Sequence, residues 1–145
     1  MARMLIGKVI PKGYAAVFPL DEYCQQNVEP RLHELIKIRA SQINGCAYCI
    51  DMHTRDARAL GEEEHRIYAL NAWRETPFFD ERERAVLALT ESATRLGEHG
   101  VPSEVYDAAL EHLGEEALAN VIVAIGLINL WNRIGVTCGM GPKAR

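Results

Sequence analysis

No stretch of this 145-residue chain alternates apolar and polar residues long enough to make a half-buried strand, which argues against a sheet-based fold. Excess positive charge is missing too. Lys and Arg number 16 against 20 Asp and Glu, and a net charge of −4 offers nothing for a nucleic-acid backbone or an anionic membrane surface to hold. The N-terminus, MARMLIGKVIPKG, carries only a short apolar patch before Lys8 and Pro11, too little for a secretory signal, so a cytoplasmic location is expected. The longest apolar run, Val121 to Ile128, falls well short of the roughly 20 residues that span a bilayer, and Asn120, Asn129, Asn132 and Arg133 punctuate its surroundings. No internal repeat, linker or low-complexity segment divides the chain. One domain over residues 1–145 is expected, with a core of its own.

Helical spacing recurs throughout. Helices are expected over 12–26 (weakened by Pro19), 29–43, 46–60 and 62–73, then from Asp80 to Gly97, over 103–113 and over 115–138. Asn44-Gly45 reads as a left-handed C-cap closing the second of these. Asp80 with Glu83 reads as a capping box opening the fifth. The pattern predicts an all-α bundle of six to seven helices with short connections. The last helix is apolar nearly all round, so it is expected to be the central helix or to lie at a subunit interface, and an oligomer reconciles both.

The chemistry concentrates in NGCAYCIDMHTRDA, residues 44–57. Close-spaced cysteines in a reducing compartment are more often redox-active or metal-binding than structural staples. The break at Asn44-Gly45 puts Cys46 and Cys49 in the first turn of a helix, where unpaired N–H groups and the positive dipole end favour a thiolate. At about 100° per residue, Cys46, Cys49 and His53 share one helix face, and His53 lies one turn beyond Cys49. An imidazole there can take the thiol proton and return it. Glu34, on the preceding helix, comes back beside this face if the two helices form a hairpin, and can then orient the imidazole or act as a base. The plainer alternative pairs Glu34 with Lys37 or Arg39. A zinc site is disfavoured: Cys46, Cys49 and His53 supply three ligands, and Cys24, His33 or Glu34 would close it only by accident of the fold. Cys24 and Cys138 read as buried apolar residues.

Glu34, eleven residues, Cys46-Ala-Tyr-Cys49, three residues and His53 together resemble the E-x11-C-x-x-C-x3-H motif of alkylhydroperoxidase D-type (AhpD-like) proteins, in the carboxymuconolactone decarboxylase-like superfamily. The similarity runs from about residue 20 to 138 and includes ALGEEEHRIYALNAWRE and LINLWNRIG. It implies a helical fold assembling as trimers or hexamers, and a cysteine-dependent peroxidase that reduces organic hydroperoxides. By the same resemblance Cys49 is the nucleophile, Cys46 the resolving thiol, and Glu34 and His53 the proton relay. It implies no metal and no cofactor beyond the Cys46–Cys49 disulfide and an external thiol reductant, lipoyl or thioredoxin-like. Trp131, Asn132 and Arg133 fall where the pocket is lined or supported. Tyr48 departs from the pattern, because the relay of the family has a histidine immediately before the second cysteine, and tyrosine is a poor base at neutral pH. A general thiol–disulfide oxidoreductase or redox sensor remains the alternative within redox chemistry. A lactone decarboxylase has no need of a thiol pair, and a zinc-stabilised helical module would require stoichiometric metal.

Overall fold

The computed structural model describes residues 2–144, and among them every regular element is helical. In chain order these are α1 (Ile6–Val9), α2 (Pro11–Ala15), α3 (Phe18–Asn27), α4 (Pro30–Asn44), α5 (Ala47–Ala59), α6 (Glu64–Tyr68), a 3-10 segment (Leu70–Glu75), α7 (Glu81–Thr94), α8 (Ser103–Leu113) and α9 (Glu115–Cys138). Two expected helices are each split. The first breaks at Ala16-Val17, because Pro19 fits the opening turn of α3 and cannot continue α2. The fourth ends at Tyr68 and continues as the 3-10 segment, with Ala72 outside helical geometry at φ −121°.

Local signals fix the ends that matter. The Glu29 carboxylate accepts from the N–H groups of Arg31 (3.1 Å) and Leu32 (2.8 Å), and Pro30 stands where no N–H is needed. At the other end Gly45 takes φ +67°, and the Cys46 N–H returns to the Ser41 carbonyl at 3.0 Å. That cap reverses the chain into α5. Asp80 and Glu83 form the expected reciprocal capping box of α7.

The central helix is α4, not α9. Every residue from Leu32 to Ser41 is buried. Leu32, Ile36 and Ala40 join the larger apolar cluster with α3, α7, α8 and α9, while Leu35 and Ile38 join a second cluster with Trp73, Phe79 and Leu87. A helix carrying His33, Glu34, Lys37 and Arg39 can sit there only if its charges are paired. Arg39 Nε donates to Glu91 Oε1 at 2.8 Å, and Glu91 also accepts from Trp73 Nε1 at 2.9 Å and from Arg74 Nη1 at 2.5 Å. α9 is by length and composition able to cross a bilayer, yet it packs one face into the core through Val121, Ile125, Ile128 and the buried Asn120, Asn129 and Asn132. Its opposite face leaves Ile122, Val123, Leu130 and Val136 exposed.

Burial alone would raise the Glu91 carboxyl, but its bonds to Arg74, Trp73 and Arg39 outweigh burial and hold it below the usual range. Glu91→Gln leaves Arg39 buried and uncompensated, and is expected to cost about 3 kcal/mol at pH 7, read by urea unfolding. A folded-state value below the unfolded 4.5 means this contribution is present above pH 4.5 and fades below it, so the gap between wild type and variant should narrow in acid.

Candidate functional site

The α4–α5 hairpin lays Glu34 against His53. His53 Nδ1 is 3.0 Å from Glu34 Oε2, and Lys37 Nζ is 2.5 Å from Glu34 Oε1. Both alternatives for Glu34, orienting the imidazole and pairing with lysine, are therefore realised by its two oxygens. All three groups are buried. Burial raises the Glu34 carboxyl, but the His53 hydrogen bond and the Lys37 ammonium overcome it and hold the carboxyl below its ordinary value. An ionised carboxylate can only accept, so His53 donates through Nδ1–H, and Nε2 is the ring nitrogen left for other contacts.

Glu34, Lys37, Cys49 and His53 line one cavity of about 690 Å³, with Tyr48 at its partly exposed edge. Its apolar wall includes Tyr14, Phe18, Met52 and Trp131. The three aromatic rings meet edge-on or tilted, with centroids 5.3 to 5.8 Å apart, which draws the N-terminal segment over the site. Cys46 is 1% exposed and does not reach the cavity; its Sγ lies 2.8 Å from Cys49 Sγ, and both are free thiols. The pair is thus ordered: one sulfur faces the space where a ligand fits, and the other stands behind it.

α9 supplies that back wall. A Cβ on Gly135 would sit 2.9 Å from Cys46 Sγ, so only glycine admits the sulfur there. Asn132, fully buried, donates to Ser41 Oγ at 2.9 Å and accepts from Asn44 at 2.9 Å; Asn132 and Ser41 also hydrogen-bond Cys49. Trp131 lines the cavity, whereas Arg133 is exposed and donates to Asn129. Trp131 is at the pocket as expected, but sequence reasoning missed Gly135, Ser41, Tyr14 and Phe18, since nothing in their spacing marks them. Lys37 carried a legible signal, three residues beyond Glu34 on one helix.

One expectation is reversed. Cys46 is the N-cap of α5 and Cys49 falls in its first turn, as expected, but the Cys49 thiol is pushed up to about 12. Burial is the main cause, followed by the hydrogen bond and charge of Cys46; hydrogen bonds from Asn132 and Ser41 oppose it only in part. Desolvation here exceeds what the helix terminus returns. The resting group is a thiol that needs a base.

Cys46 and Cys49 do not fall with His53 into a cluster of potential ligand atoms. Among the described residues the one cluster of potential ligand atoms is Glu34, His53 and Asp56, within 4.8 Å of one another. Lys37 already places a positive charge on that carboxylate, which opposes a cation.

A family model described as the carboxymuconolactone decarboxylase family matches residues 11–92. The chain belongs to that family. It is 44% identical to YdfG, an uncharacterised protein of Bacillus subtilis, over 91% of this chain and 90% of that one. The fold matches a crystal structure of a protein of unknown function from Agrobacterium tumefaciens, ATU0492, that carries a provisional label as the antioxidant-defence protein AhpD. The TM-score is 0.96 and the identity 38%, and all of both chains is covered. The debrominase Bmp8 shares the fold at TM-score 0.81 and 21% identity, over 90% of this chain and 70% of that one. Within this family fold the AhpD-like architecture expected from the motif is present.

Two outcomes test the site geometry. Alkylation of Cys49 by iodoacetamide, followed by mass spectrometry, should be slow at pH 8 and still rising above pH 10, because a raised thiol value keeps the thiolate scarce until strongly basic pH. Gly135→Ala should displace Cys46 and slow Cys46–Cys49 disulfide formation by about tenfold, since disulfide geometry tolerates little displacement. The check is the rate at which alkylatable thiols disappear after adding oxidant.

Proposed function

We propose that the protein is a cysteine-dependent peroxidase that reduces organic hydroperoxides through the Cys46/Cys49 dithiol, with Glu34 and His53 moving the proton. The observation that carries this reading is a cavity lined by one thiol of an adjacent pair and by a carboxylate-held imidazole. Membership in the family and likeness to the AhpD-labelled Agrobacterium structure support it.

The hydroperoxide lies with its organic part on the apolar wall. His53 Nε2 takes the Cys49 proton, and Glu34 stabilises the imidazolium through Nδ1. The sulfur attacks one peroxide oxygen and the O–O bond breaks. The departing alkoxide recovers the proton from His53 and leaves as the alcohol, with Cys49 now a sulfenic acid. Cys46 then attacks Cys49, a disulfide forms and water departs. An external dithiol, lipoyl or thioredoxin-like in class, reduces the disulfide and is itself oxidised, closing the two-electron cycle. No metal or further cofactor enters these steps. Tyr48, at the rim, can donate a hydrogen bond but supplies no base. The exposed apolar face of α9 suits a second copy of this chain, consistent with assembly as a trimer or hexamer.

The test is consumption of cumene hydroperoxide with dithiothreitol as reductant. Cys49→Ser should abolish it. Cys46→Ser should retain a single turnover and leave a sulfenic acid that dimedone traps on Cys49. The opposite pattern reverses the two thiol roles. Wild-type turnover no faster than dithiothreitol alone would instead leave a general thiol–disulfide oxidoreductase.

A further inference from the structure

A second imidazole faces the same cavity, and none of the steps above uses it. His33 directly precedes Glu34 on α4, is 3% exposed, and lines the cavity beside Glu34, Lys37, Cys49 and His53. Among the described residues its ring has no hydrogen-bond partner and no ion pair. Every fully enclosed side-chain nitrogen or oxygen among those residues does have a partner, so the unpartnered His33 ring nitrogens are not fully enclosed, and the residue lines the cavity. A buried polar ring without a protein partner is uncommon, and one that opens into a ligand-sized space is satisfied by what enters it.

The two imidazoles are prepared differently. His53 is fixed by Glu34 through Nδ1, which suits a ring that gains and loses a proton. His33 makes no contact with a carboxylate. Burial, reinforced by the Lys37 ammonium and by His53, pushes it down to about 4 against the pull of Glu34. It therefore stays neutral at physiological pH, with one N–H to donate and one nitrogen to accept. A neutral ring can hold an oxygen without competing for the proton in transit.

We infer that His33 orients the substrate: its ring hydrogen-bonds the oxygen of the bound hydroperoxide, and of the alcohol released from it, while the organic body lies against Tyr14, Phe18, Met52 and Trp131. This rests on the peroxidase reading for the identity of the ligand, but not for the location of the contact.

Two variants and a turnover-independent readout test it. His33→Leu removes both hydrogen-bonding atoms, and His33→Gln restores a polar head. With cumene hydroperoxide and dithiothreitol, His33→Leu should raise KM about tenfold, with a smaller change in kcat, and His33→Gln should recover most of the loss. Separately, the intact protein is titrated with the product alcohol, 2-phenyl-2-propanol, while imidazole ¹⁵N resonances are followed. The His33 nitrogens should shift on binding, and the alcohol should bind His33→Leu about tenfold more weakly. Alcohol binding that leaves the His33 resonances unmoved, or that is equally tight in a folded His33→Leu, overturns the inference whether or not peroxide is consumed. A His33 shift in a protein that does not consume peroxide retires the peroxidase reading and upholds the contact. If His33→Leu fails to fold, the wild-type titration decides alone.

Discussion

A carboxylate removed from water loses its hydration, and it stays ionised only if the groups that replace the water are well placed. At Glu34 one oxygen meets Lys37 and the other meets His53. The first contact lies within α4 and the second joins α4 to α5, so the same charge anchors the central helix and the helix that bears the thiols. It also settles which imidazole nitrogen faces the carboxylate. Were Glu34 protonated, it could donate, and the ring could turn either nitrogen toward the cavity. The ionised form can only accept, so it holds the Nδ1 side of the ring against α4.

The remaining elements serve that arrangement from different directions. The left-handed cap at Gly45 sets the reversal that puts α4 and α5 side by side. α9 closes the back of the thiol pair, through the missing side chain at Gly135 and the buried amide of Asn132. α2 and α3 bring Tyr14 and Phe18 to Trp131, forming an apolar wall opposite the charged groups. The cavity is thus polar along Glu34, Lys37 and His53 and apolar along Tyr14, Phe18, Met52 and Trp131.

The local features of this design are legible in the sequence and the non-local ones are not. The 46–60 helix, its start at Cys46, the Gly45 cap and the Asp80 capping box follow from short-range spacing, and all appear. The hairpin that returns Glu34 to His53 follows from the same short loop. The identity of the central helix does not. α9 looks central because it is apolar, whereas α4 takes the position because Glu91 and Glu34 neutralise its charges from partners three to fifty-two residues away. Gly135 is likewise silent, since its role is defined by the Cys46 sulfur almost ninety residues earlier in the chain.

The thiol shows most plainly how local and tertiary effects compete. Its position in the first turn of α5 can be read from residues 44–49 and argues for a thiolate. Its burial, in contact with Ser41 of α4 and Asn132 of α9, which no short window contains, outweighs that local effect. The sign of the outcome matters for chemistry. A resting thiolate in an open cleft would react with any small electrophile that reached it. Under the proposed peroxidase reading, a resting thiol that hands its proton to a carboxylate-held imidazole reacts only when a bound molecule sits where it can accept the sulfur and then the proton. On that reading burial shifts control of reactivity from the sulfur itself to occupancy of the cavity, and discrimination among electrophiles becomes a property of the wall and the imidazoles as much as of the thiol.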